Sequence, residues 1–256
     1  MILALVNNKG GVGKTTCAVN LAAAIARKDR PVLLVDLDSQ ASASFSVGLN
    51  RDELHPSTAE LLLERVPASR TIRATGTEGL DVLAGSMGLV NADLRLADDR
   101  DRTDRLRIAL SPVAQEYAYI ILDTPPSLGL VTVNALVAAD AYVVPVVPHY
   151  LALEGLVSLL EAVERIRSGV GTVAELLGLA LVQVDRRVKM TDELVQLFRG
   201  HYKRQVFKTE VPINVRLTEA PSHGQTIFQY DRTATGAVAY RRLADEILYR
   251  CRKVGR

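Results

Sequence analysis

Near the start of the chain, the run Lys9-Gly10-Gly11-Val12-Gly13-Lys14-Thr15-Thr16 separates an apolar, β-branched stretch (residues 2–6) from an alanine-rich helical pattern (residues 14–27). No other feature limits the possible folds as strongly. Glycines at these places allow backbone angles closed to other residues and let phosphate oxygens approach the main chain, whose N–H groups converge at the helix start. Lys14 then supplies positive charge between a β- and a γ-phosphate, and the Thr15 hydroxyl is placed to coordinate Mg²⁺. A glycine turn with two solvated lysines is the plain alternative, and the strand-loop-helix setting weighs heavily against it.

The rest of the chain fits the fold that such a loop requires. Short β-branched runs predict strands at 2–6, 32–36, 80–83, 119–123, 142–147, 179–184 and 206–209. Longer patterns predict helices at 14–27, 102–113, 128–139, 153–168, 192–200 and 235–253. This alternation points to an α/β P-loop NTPase with a mostly parallel, twisted sheet flanked by helices on both faces. With 256 residues, 48% of them hydrophobic, the chain is expected to form a single domain over 1–256. Its apolar runs are far shorter than a membrane span, so neither a signal peptide nor a transmembrane helix is expected. Cys17 and Cys251 lack the CxxC spacing of metal or redox sites, which suits a reducing cytoplasm. In the last predicted helix Val238, Leu243, Ile247, Leu248 and Cys251 form one apolar stripe, expected to dock on the domain rather than on a membrane.

Two further stations carry carboxylates. Asp36-Leu37-Asp38 places two of them just past the second predicted strand, beside the phosphate loop of a parallel sheet. An apolar strand ending in Asp123-Thr124-Pro125-Pro126 brings a third, suited to holding a water of ATP-bound Mg²⁺. The lysines and metal would neutralise phosphate charge and Asp38 would align water, the two requirements of phosphoryl transfer. His55, His149, His201 and His223 are scattered and form no competing constellation. The net charge of +2 conceals an imbalance: residues 170–256 hold 15 Lys/Arg against 9 Asp/Glu, and the remainder 16 against 20. That downstream excess weakly favours a nucleic-acid partner.

The loop lacks the first glycine of the GxxxxGK[ST] pattern, Asn8 standing in its place, and its KGGxGKT form resembles the group that contains ParA, MinD, the nitrogenase iron protein and the arsenical-pump ATPase. Asp36-Leu37-Asp38-Ser39-Gln40 resembles the DLDPQ segment of ParA proteins, with Ser39 for proline and Ala41-Ser42 for Gly-Asn. Val144-Pro145-Val146 leading to Leu151-Ala152-Leu153-Glu154-Gly155-Leu156 is similar to the VPV…ALEGL segment, although His149 replaces an acidic residue. Residues 211–224 are similar to IPRNVRLSEAPSHG. The chain thus resembles the ParA/Soj family over nearly its whole length.

The resemblance implies ATP and Mg²⁺ as cofactors, with Lys9 reaching a partner's ATP across a nucleotide-sandwich homodimer. Asp38 would orient the attacking water, and Asp36, Thr15 and Asp123 would serve the magnesium shell. Arg187 and Arg216 fall where Soj proteins contact double-stranded DNA nonspecifically. Arg186, Lys189, Arg199, Lys203, Arg204 and Lys208 could extend that patch. Asp185 and Pro212 are candidates for the base pocket, where Gln183 replaces a methionine. A ParB-type centromere-binding partner and a nucleoid-associated, cytoplasmic location follow from the same resemblance. A positioner of another intracellular cargo is the nearest alternative. A MinD-like membrane-cycling ATPase is a more distant one, because the chain stops at Arg256 without a lipid-binding helix after the domain. A cluster-bridging iron protein is excluded by the separation of the two cysteines.

Overall fold

A computed structural model of the chain describes residues 1–254. Eight strands form one sheet: β1 (Ile2–Leu5), β2 (Val32–Asp36), β3 (Ile72–Ala74), β4 (Leu80–Leu83), β5 (Tyr119–Asp123), β6 (Ala141–Val146), β7 (Glu175–Val184) and β8 (Val206–Pro212). Their order is β3-β4-β2-β5-β1-β6-β7-β8, and every pairing is parallel except that of β3 with β4. Because the central strands are covered on both sides, they are apolar throughout rather than alternating with polar residues.

Successive side chains on each strand enter opposite layers. Leu3, Leu5, Val32, Leu34 and Ile121 point into one layer, with the helices Lys14–Ile25 and Thr235–Val254. Ala4, Val6, Leu33, Val35 and Leu122 point into the other, with the helices Leu130–Ala138, Ala152–Val170 and Lys189–Tyr202 and the short Thr58–Leu63 and Arg105–Leu110. The α/β expectation, with helices on both faces, is therefore met. Small buried residues of the first helix, Ala18 and Ala22 among them, let the last helix pack against it. There Tyr240 meets Cys17 Sγ at 3.3 Å.

The stripe on the last helix is buried at Leu243, Ile247, Leu248 and Cys251, while Val238 is only half-buried. Its polar edge is also engaged. Arg250 donates to the carbonyls of Leu177, Gln205 and Val206 at 3.0–3.1 Å, and Glu246 accepts from the β8 N–H groups of Lys208 and Thr209 at 2.9 and 3.1 Å. Glu246 thereby covers part of an exposed sheet edge. Among the described residues no helix is long and apolar enough to cross a membrane.

Element boundaries depart from the sequence reading where tertiary contacts decide them. The helix expected at 102–113 is confined to Arg105–Leu110, β7 begins at Glu175, and β8 runs on to Pro212. β3 was not expected; with three residues it is held by antiparallel pairing to β4 rather than by its own pattern. The connection after β1 leads to one side of the sheet and that after β5 to the other, so a crevice opens at the carboxyl ends of these strands.

Candidate nucleotide-binding site

The glycine loop leaves β1 into this crevice. Gly11 (φ 74°) and Gly13 (φ 80°) occupy left-handed backbone angles, where a side chain would be strained. Neighbours brace the loop from two strands: Asn7 donates to the Pro145 carbonyl (2.8 Å) and accepts from Lys9 N (3.0 Å), while Gln183 donates to the Gly11 carbonyl (3.0 Å). Lys14 is buried at the helix start, and its ammonium donates back to the Lys9 carbonyl at 3.2 Å, closing the loop around its open centre. Burial lowers the Lys14 pKa, while the charges of Asp123 and Asp38 oppose that shift. Lys9 is exposed and its Nζ lies 2.8 Å from His149 Nε2. An ammonium has only donors, so the imidazole accepts through an unprotonated Nε2. Partial burial and the Lys9 charge both lower the His149 pKa, which agrees with that form.

Sheet register brings the carboxylates together. Asp123 is level with Leu5 on one side and with Asp36 on the other, so both acids end their strands beside the loop, fully buried. Their surroundings differ. Asp36 Oδ2 accepts from Ser44 N (2.9 Å) and Ser44 Oγ (2.7 Å), and its Oδ1 accepts from Asp38 N (3.1 Å). Burial still raises its pKa to about 6 against those bonds. Ser44 Oγ accepts in turn from Gly85 N at 3.0 Å, and a Cβ on Gly85 would lie 2.5 Å from the Asp38 carbonyl. Ser44 and Gly85 thus position Asp36 and Asp38. Sequence reasoning missed both, since nothing in their local pattern marks them.

Asp123 has no comparable support: neither carboxylate oxygen has a hydrogen-bond partner. Burial and the Asp36 charge push its pKa well above the usual carboxylate range, with the nearby Thr15 hydroxyl and Lys14 ammonium opposing them. A buried, unpartnered carboxylate beside a Thr hydroxyl and a phosphate loop fits a hydrated divalent cation. Among the described residues no cluster of three His, Cys, Asp or Glu forms a protein-only metal cage, so any such cation would keep water or phosphate ligands. Asp38 is half-buried, and its Oδ1 accepts from Gln40 N at 2.9 Å.

Next to Gly13 and Thr16 a cavity of about 450 Å³ lies between β7, β8 and the last helix, with Val182, Gln183, Pro212 and Asn214 in its wall. Pro212 stands at the end of β8 in that wall. Asp185 does not line this cavity: its carboxylate accepts from Arg187 at 2.7–3.1 Å, which lowers its pKa to about 2. Arg187 itself is 82% exposed, and Arg216, 52% exposed, pairs with Glu219 at 2.7 Å. Two residues of the wider basic patch are held by partners within the chain. Arg186 is clamped between Asp192 and Glu210, and Arg199 donates to the Phe207 and Lys208 carbonyls and to Glu210 at 2.9–3.1 Å.

A phosphate-sized loop at the reversal point of a parallel sheet, flanked by strand-end carboxylates and a base-sized cavity, defines a P-loop nucleotide-binding protein. The family described as AAA domain matches residues 1–176. The chain is 41% identical over 249 residues to the chromosome partitioning protein ParA of Myxococcus xanthus, covering 97% of this chain and 88% of that protein. It is likewise 41% identical over 246 residues to the sporulation initiation inhibitor protein Soj of Bacillus subtilis, covering 96% and 97%. Among solved structures, it superposes on a cobyrinic acid a,c-diamide synthase of Mycobacterium smegmatis with bound ADP and magnesium at a TM-score of 0.84 and 32% identity, covering 100% of this chain and 96% of that one. The chain belongs to the ParA/Soj family of partitioning ATPases.

Proposed function

We propose that this protein hydrolyses ATP with Mg²⁺, closes as a homodimer on ATP, binds double-stranded DNA without sequence preference in that state, and releases it after hydrolysis stimulated by a ParB-type partner. Residues 1–256 act as one ATPase domain, located in the cytoplasm on the nucleoid. The observation that carries this reading is the convergence of Lys14, Lys9, Asp36, Asp38 and Asp123 around a loop whose glycines hold left-handed angles.

Each residue has a role that its surroundings support. Gly10, Gly11, Val12, Gly13 and Thr16 belong to the phosphate-wrapping loop, and Lys14 stands inside it as the fixed charge. Mg²⁺, when bound, offsets charge on the phosphate oxygens. Thr15 would hold it directly and Asp123 through water. Asp36, whose oxygens are occupied by Ser44 and Asp38, would act through the position of Asp38, and Asp38 would orient the attacking water. Lys9 is exposed at the loop's front edge, free to swing from His149 towards a second subunit. Pro212 lines the base cavity, while Asp185 stands at the end of β7 and holds Arg187.

Arg187 and Arg216 are exposed but paired with carboxylates of their own chain, so DNA phosphates would exchange one anion for another at each. Such contacts give affinity without sequence readout and make it salt-dependent. The burial of the last helix's apolar stripe favours this output over membrane cycling. Two variants test the assignment. Lys14→Ala should abolish ATP binding, whereas Lys9→Ala should still bind ATP but lose most dimerisation and turnover. Normal turnover by both variants would overturn the reading.

A further inference from the structure

β1 and β6 are neighbours in the sheet, so the turns that leave their carboxyl ends, the glycine loop and residues 147–151, stand next to each other. Both turns have a fixed main chain. Lys9 N donates to Asn7 Oδ1 at 3.0 Å, and Asn7 donates in turn to the Pro145 carbonyl at 2.8 Å. The His149 carbonyl accepts from Ala152 N at 2.9 Å, where the helix Ala152–Val170 begins. Between these anchored turns the two side chains meet, Lys9 Nζ lying 2.8 Å from His149 Nε2.

Among the described residues this is the one hydrogen bond that either side chain makes, and no Asp or Glu pairs with the ring from the glycine loop, from its own turn or from the helix that follows. Lys14 turns its ammonium to the Lys9 carbonyl instead. The contact depends on the charge of the ring. A neutral imidazole accepts from an ammonium, whereas a protonated one has only donors and sets cation against cation. Partial burial and the Lys9 charge lower the His149 pKa, so the change from holding to repelling falls below the ordinary histidine range.

We propose that His149 is a positioning residue for Lys9: neutral, it holds the ammonium on its own subunit, and it lets go when the ring is protonated or when the dimer closes on ATP. This assignment rests on the reading of Lys9 as the residue that crosses to a partner's ATP, and adds what opposes the crossing. Closure of a homodimer has to break two such contacts. Each contact, partly open to solvent, is worth about threefold in an equilibrium, so the pair weakens the closed dimer about tenfold while the ring is neutral. In acid that opposition is lost.

The test is the dimer dissociation constant from pH 8 to pH 5, measured by sedimentation with Mg²⁺ and a non-hydrolysable ATP analogue. The unchanged protein is compared with His149→Leu, which cannot accept, with His149→Glu, which holds Lys9 by charge throughout that range, and with Lys9→Ala. At pH 8 His149→Leu should dimerise about tenfold more tightly than the unchanged protein, and the gap should close by pH 5. His149→Glu should remain the weaker dimer relative to His149→Leu at both ends. Any pH trend of the nucleotide itself is common to all and cancels in these ratios. Parallel profiles for the unchanged protein and His149→Leu, or weaker dimerisation of His149→Leu at pH 8, would overturn the role of His149. Dimerisation of Lys9→Ala as tight as that of the unchanged protein would instead overturn the crossing role of Lys9, and this assignment with it.

Discussion

In the nucleotide-free protein at pH 8, Asp123→Asn should raise stability. Asp123 is fully buried, neither oxygen accepts a hydrogen bond, and the Asp36 carboxylate stands level with it on the next strand. The substitution preserves shape, removes a charge and breaks no hydrogen bond. A buried polar group left unmet costs about 1–3 kcal/mol, and more when charged. Asn keeps the neutral share of that cost, so the gain should be about 1–3 kcal/mol. For a chain of this size that is a rise in Tm of about 2–10 °C. The sign of the pH dependence follows from the raised pKa of Asp123. An acid with a raised folded-state pKa supports the fold while protonated, and that support is lost as pH rises from the ordinary carboxylate value through the folded-state one. The advantage of Asp123→Asn should therefore be small in acid and grow towards pH 8. Urea or thermal unfolding of both proteins from pH 5 to 8, without nucleotide, measures it. A variant less stable than the parent at pH 8 would mean that the carboxylate is satisfied after all. With Mg²⁺ and ATP the order should reverse, because a ligand stabilises only the protein that binds it.

Other consequences can be read from single contacts. Ser44→Ala removes a donor to Asp36 and an acceptor for Gly85 N, and should cost about 1–3 kcal/mol in urea unfolding while raising the Asp36 pKa further above about 6. Gly79→Ala should destabilise by about 2 kcal/mol or more, since φ is 75° there and the new Cβ would sit 2.3 Å from the Arg27 carbonyl oxygen. Its Tm should fall by several degrees; an unchanged Tm would refute that close approach.

How legible this protein is in its sequence depends on how local each cause is. The central strands and the first helix are visible because their apolar runs are continuous and the glycine loop joins them. The helix Thr58–Leu63 went unread although Ser57 and Glu60 form a capping box at its start, a signal that could have found it. Asp36, Asp38 and Asp123 are legible as strand-end acids, but the contrast between a fully bonded Asp36 and an unpartnered Asp123 arises from Ser44, eight residues beyond Asp36. Arg186 and Arg199 illustrate the same limit. They read as free cations along the chain, and Glu210, 24 and 11 residues away, claims both.

The central claim is that ATP gates DNA binding through two exposed arginines. It is tested most directly by measuring retention of nonspecific double-stranded DNA with ATP, with ADP and without nucleotide, at several salt concentrations. The unchanged protein, Arg187→Ala and Arg216→Ala should be compared. Retention with ATP alone, falling steeply with salt and weakened in both variants while ATP-dependent dimerisation persists, is the predicted result. Equal retention in all three nucleotide states, or full DNA affinity in an Arg216→Ala protein that still dimerises, would contradict the account.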